Sequence, residues 1–87
     1  MSAYEDCKEA ANKFILNTVT NLVASIKVEC YEAAKSGLFY QNITLTNEVI
    51  DNEAIVSLLF LTLTEQEKLK VVYVGDVKSE IRVSWNH

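Results

Sequence analysis

Residues 2–36, SAYEDCKEAANKFILNTVTNLVASIKVECYEAAKS, decide the fold of this chain. Tyr4, Cys7, Ala11, Ile15, Thr18, Val19, Leu22, Ile26, Cys30 and Ala33 recur at steps of three and four with no strand-like alternation, so the stretch reads as one amphipathic helix. Ser2 and Glu5 have the spacing of a capping box, and Glu5, Asp6 and Glu9 place negative charge at the positive end of the helix dipole. Gly37, which adopts the left-handed conformation without a Cβ penalty, closes the other end just after Lys35. Tyr4, Ile15 and Ile26 are eleven residues apart, as are Ala11, Leu22 and Ala33; at about 3.67 residues per turn such a stripe runs nearly parallel to a straight helix axis. Lys8 and Glu29 interrupt the stripe, one near each end. The reading predicts burial from Ala11 to Ile26 and an overhang at both ends.

The overhang has a consequence. A helix of this length spans roughly 50 Å, whereas a compact domain of this size has a radius of gyration near 12 Å. Either the helix bends within residues 17–21, a run of poor helix formers, or a second copy covers what protrudes. The second copy is the expectation.

With 87 residues, 49% of them hydrophobic, the chain is expected to form a single α+β domain over residues 1–87, with one modest core and no need of metal or disulfide. It has no proline and only two glycines, so regular structure with short turns should fill most of it. Twelve acidic and eight basic side chains give a net charge of −4, and the lysines are scattered, which disfavours direct binding to nucleic acid. Glu5 and Asp6 stand where a secretory signal needs positive charge, and no apolar run approaches eighteen residues. The expected location is therefore cytoplasmic, with no membrane partner. Cys7 and Cys30, 23 residues apart on one helix, would lie roughly 35 Å from each other, which is beyond disulfide reach within a subunit.

After Gly37 the pattern predicts a four-stranded antiparallel meander on which the long helix packs, in the order α-β-β-β-β. Residues 38–46 read as an edge strand, with Asp51-Asn52 as a hairpin tip. Residues 54–64, apolar on both sides through Leu58-Leu59-Phe60-Leu61, read as a central strand. Residues 69–74 return, Gly75-Asp76 makes a two-residue turn, and residues 77–85 alternate as the last strand. That register puts Leu59, Leu61, Val72 and Val74 on the helix side. Leu58, Phe60, Val71 and Tyr73 then form a second apolar patch on the opposite side, large enough to need a cover.

No catalytic constellation is legible. The only histidine is His87, at the very end, and neither glycine opens a phosphate-binding helix. The acids Glu48, Asp51 and Glu53 lack calcium-loop spacing. No cofactor and no metal site is expected. Glu29, a charge inside the apolar stripe, is a candidate partner for a cation across an interface. The expected function is a non-catalytic protein–protein interaction module, adaptor- or inhibitor-like. It would be a homodimer with a further, unidentified protein partner, and its interface would include Leu58, Phe60, Val71, Tyr73 and Glu29. Two alternatives come from other classes: a ligand-binding or enzymatic pocket between helix and sheet near Glu29 and Cys30, and an acidic mimic of nucleic acid that inhibits a nucleic-acid-binding protein.

Overall fold

Of the capping signals around residues 2–36, the Ser2 cap and the closing glycine form, whereas among the described residues no bond from the Glu5 carboxylate back to the Ser2 N–H completes the capping box. The computed structural model describes residues 2–86. In it α1 (Ala3–Lys35) is an unbroken helix, and the Ser2 hydroxyl oxygen accepts from the Glu5 backbone N–H at 3.2 Å. At the far end Gly37 has φ 87°; its N–H donates to the Ala34 carbonyl at 2.9 Å and the Leu38 N–H to the Ala33 carbonyl at 3.1 Å. These two bonds are the paired closure of a Schellman motif, which only a residue tolerant of positive φ completes without strain. Residues 17–21 do not bend the rod: 33 residues at about 1.5 Å each account for nearly all of the 53 Å long axis of the molecule.

Among the described residues six elements follow one another as α1, β1 (Tyr40–Thr44), α2 (Asn47–Ile50), α3 (Glu53–Leu61), β2 (Lys70–Tyr73) and β3 (Glu80–Ser84). A π-helical turn, Thr62–Gln66, extends α3. Among the described residues the sheet has three strands, not four, in the order β1-β3-β2, with both neighbours antiparallel to the central β3. β1 and β2 therefore run parallel, and the stretch between them crosses over the sheet carrying α2 and α3.

The missing strand is α3. Four consecutive apolar residues fit a buried strand and a buried helix equally well, and here the local chemistry favours the helix. Asn52, read above as a hairpin tip, is the helix cap: its Oδ1 accepts from the backbone N–H groups of Ala54, at 3.1 Å, and Ile55, at 3.2 Å. Ile55, Leu59 and Leu63 then recur every four residues and are all buried against α1 and the sheet. Thr62 and Thr64 return their hydroxyls to the carbonyls of Leu58 and Phe60 at 2.7 and 2.8 Å, which helps the chain leave the α register for the wider π turn.

The hairpin between β2 and β3 also differs from expectation. Its loop spans six residues, 74–79, in place of a two-residue turn, so Tyr73 pairs with Ile81 and Val71 with Val83. That is a shift of three residues, and an odd shift exchanges the two faces of a strand. Val71 and Tyr73 therefore lie on the helix-covered face beside the enclosed Ile81 and Val83, and Val72 lies on the outer face beside Arg82.

The core occupies one layer between the sheet and the two helices, α1 and α3. From α1 it takes Val19, Val23, Ile26, Cys30 and Ala33, with Ile15 and Leu22 half-buried at its margin. Burial on α1 thus begins some four residues later and ends seven later than the stripe implied, and the overhang lies wholly at the N-terminal end. Among the described residues no helix is long and apolar enough to cross a membrane.

Candidate interaction surface

Every residue from 2 to 14 is exposed. About three turns of α1 therefore project beyond the domain, and they are not polar: Tyr4 is 72% and Phe14 62% exposed. A solvated helix of this length is marginal in isolation. This one is propagated from the docked half and held at its start by the Ser2 cap. Tyr4, Cys7, Ala11 and Phe14 follow one another at steps of three, four and three, and the same alternation runs on through Thr18, Asn21, Ser25 and Val28. At 100° per residue this seam lies about 100° around the helix from the residues that face the domain. The apolar stripe is thus two stripes, one used within the fold and one left on the surface. Phe14 escaped the sequence reading because it sits one residue before Ile15; the heptad step from Cys7 through Ala11 is the signal that finds it.

The five residues expected at an interface do not share one surface. Leu58 and Phe60 stand about 200° apart on α3. Leu58 turns toward α1 and lines a groove of about 240 Å³ with Leu16, Val19, Thr20 and Val23. Phe60 turns toward β2 and meets Tyr73, with ring centroids 5.3 Å apart and a 42° tilt, which is ordinary aromatic packing. Val71 is half-buried against the core from β2. Phe60, Val71 and Tyr73 thus come together beneath the sheet's helix-covered face, with Tyr73 still 42% exposed at the open edge. Glu29 is exposed on α1, away from all four, and makes no ion pair among the described residues.

The outer face of the sheet carries a polar cluster that sequence reading passed over. Asn42, Arg82 and Val72 face one another across the three strands. The Arg82 guanidinium lies 4.6 Å from the Tyr40 ring centroid, and its Nε–H donates to Asn42 Oδ1 at 3.0 Å. The cluster holds the arginine flat against the sheet. A second cleft of about 240 Å³, lined by Ile50, Glu53, Val56, Ser57, Tyr73 and Lys78, opens beside α3.

Among the described residues no group of three His, Cys, Asp or Glu side chains is placed to hold a metal ion. His87 lies outside the described residues. The two cysteines differ in environment: Cys7 is exposed on the overhang and Cys30 is buried in the core. Burial, assisted by the neighbouring Glu29 carboxylate, pushes the Cys30 thiol above its ordinary range. Two results follow. A thiol reagent near pH 8 labels one cysteine per native chain, Cys7, and reaches Cys30 only on unfolding. Because the Cys30 pKa is higher folded than unfolded, the neutral thiol favours the fold, and this contribution is complete below the unfolded thiol value of about 8.5. It drains away as pH rises from there through the native value, so urea midpoints should fall between pH 8 and pH 10 by more in the wild type than in Cys30→Ala.

Comparison with known proteins adds no relative: no family model, no curated protein and no solved structure matches this chain.

Proposed function

We propose that this chain is a small, non-catalytic protein-interaction module, adaptor- or inhibitor-like, that works as a homodimer. The observation that carries the reading is the N-terminal projection of α1, with Tyr4 and Phe14 held out in water on a helix that the domain does not cover. Large apolar side chains at regular spacing on a free helix mark a surface that another helix packs against. The sheet's outer face, with Arg82 pinned over Tyr40, is then free for a further protein. Recognition by direct contact with nucleic acid is disfavoured by the charge: Glu53 and Glu65 are the only charged residues in α3 and its π turn, and the whole chain is acidic.

Light scattering on the size-fractionated protein tests the reading. At micromolar concentration the full chain should run at twice the mass of one chain. Removal of residues 2–14 should give a folded monomer, because none of those residues is buried. A full-length chain that stays monomeric throughout the micromolar range would remove the basis of the proposal.

A further inference from the structure

We propose that two copies pair antiparallel along α1, with Lys8 of each beside Glu29 of the other. This rests on the homodimer reading above and specifies its interface. The seam from Tyr4 to Val28 covers about 36 Å of helix, and folding back on a second copy of itself gives one register in which all of it is used. Tyr4 then packs on the partner's Val28, Cys7 on the partner's Ser25, Ala11 on the partner's Asn21 and Phe14 on the partner's Thr18. Each aromatic meets a smaller side chain, and Cys7 and Ala11 meet small or slender ones, the alternation that lets two helices interdigitate. The free half of each helix lies along the docked half of the other, where the partner's Asn21, Ser25 and Val28 are exposed and Thr18 is half-buried at the margin of its own core.

Charge selects this arrangement. Lys8 and Glu29 occupy equivalent positions flanking the seam, on the same side of it and near opposite ends, so only reversal of one helix brings them together. Side chains on a helix lean toward its N-terminus. The Lys8 ammonium does so, lying 5.9 Å from the Tyr4 ring centroid. The partner's Glu29, leaning the opposite way, meets it, and the twofold axis repeats the pair at the other end. Glu29 is exposed and otherwise without an ion pair among the described residues. The acids of the free segment, Glu5, Asp6 and Glu9, sit off the seam and are not brought together. A parallel pair would instead stack Glu32 on Glu32 and Lys35 on Lys35 as the seam continues toward the C-terminal end of α1. The antiparallel pair also sets the two helix dipoles head to tail.

The area is sufficient. At 72% and 62% exposure, two Tyr4 and two Phe14 rings offer roughly 400–670 Å². The remaining seam and flanking residues along the pair bring the total toward the roughly 1,000 Å² that a specific interface requires. This is the small end of the scale and points to micromolar affinity. Each domain packs on residues 15–33 of its own helix, most of which lie opposite the free segment of the other helix, so the two domains sit toward opposite ends of the pair.

A charge swap tests the pairing. Lys8→Glu and Glu29→Lys, both at exposed positions, should each raise the dimer dissociation constant about tenfold through two symmetry-related like-charge contacts. The double variant should recover the wild-type value. Mild oxidation of wild type should give no covalent dimer, because the two Cys7 residues lie about 27 Å apart along the pair, whereas Ser25→Cys should cross-link through Cys7. A wild-type chain that is monomeric at every concentration removes the homodimer reading together with this interface. A dimer that ignores the swap, or that links Cys7 to Cys7 on oxidation, overturns the antiparallel pairing and leaves the homodimer standing.

Discussion

Leu59→Ala should lower the stability of the folded chain by about 3–5 kcal/mol, whereas Leu61→Ala should change it by less than about 1 kcal/mol. Leu59 is fully enclosed, 0% exposed, at the point where α3 meets α1 and the sheet; Leu61 is 56% exposed. Truncating Leu59 removes apolar contact and leaves a cavity that neighbours on three elements cannot all move to fill. For a domain of this size each kcal/mol lowers the melting temperature by about 4–8 °C, so Leu59→Ala should melt roughly 12–40 °C below wild type in a calorimetric scan. The pair of variants also decides between the two conformations that residues 54–64 can take. In a strand, Leu59 and Leu61 share a face and cost alike. In a helix they stand about 200° apart, and the costs diverge. Equal losses at the two positions would mean that the segment is not the helix described.

The contrast between α1 and α3 shows which parts of this fold the sequence makes legible. In α1 the cap, the period and the closing glycine all agree over 33 residues, and no strand pattern competes with them. In α3 the helical period is carried by Ile55, Leu59 and Leu63, but Leu58, Phe60 and Leu61 fill the spaces between and erase it. The deciding information is the Asn52 side chain capping the turn, and Asp51-Asn52 suits a hairpin tip as well as a cap. The register between β2 and β3 was hidden for a related reason. Gly75, at φ 64°, invites a tight turn, but the loop continues to Ser79 and exchanges the faces of Val71, Val72 and Tyr73. The expected patch of Leu58, Phe60, Val71 and Tyr73 depended on both readings and so divides between a groove on α1 and the underside of the sheet. Glu29 fares differently. Its position depends only on the phase of α1, which periodicity gives directly, and it stands exposed on that helix beside Val28, without an ion pair among the described residues.

Ala24→Pro should cost 3 kcal/mol or more and melt the domain at least about 12 °C early, although Ala24 itself is exposed and touches none of the core. The argument concerns the backbone alone. Proline at this position deletes the bond from the residue 24 N–H to the Thr20 carbonyl and drives its ring into that carbonyl, so α1 kinks. Val19 and Val23 lie before the kink and Ile26, Cys30 and Ala33 after it; all five are buried within one layer against α3 and the sheet, and a bent helix cannot hold both groups there together. The same substitution at Ala10 meets no such constraint, because the surrounding turn touches nothing in its own domain. Ala10→Pro should lose helical ellipticity from the projecting segment while the near-ultraviolet signal of Trp85, packed at the edge of the core, stays native. Measured together by circular dichroism, the two variants separate a helix that is structural over residues 15–33 from one that its own domain leaves uncovered over residues 2–14. If Ala10→Pro also abolished the Trp85 signal, the first three turns would have to belong to the core of their own chain.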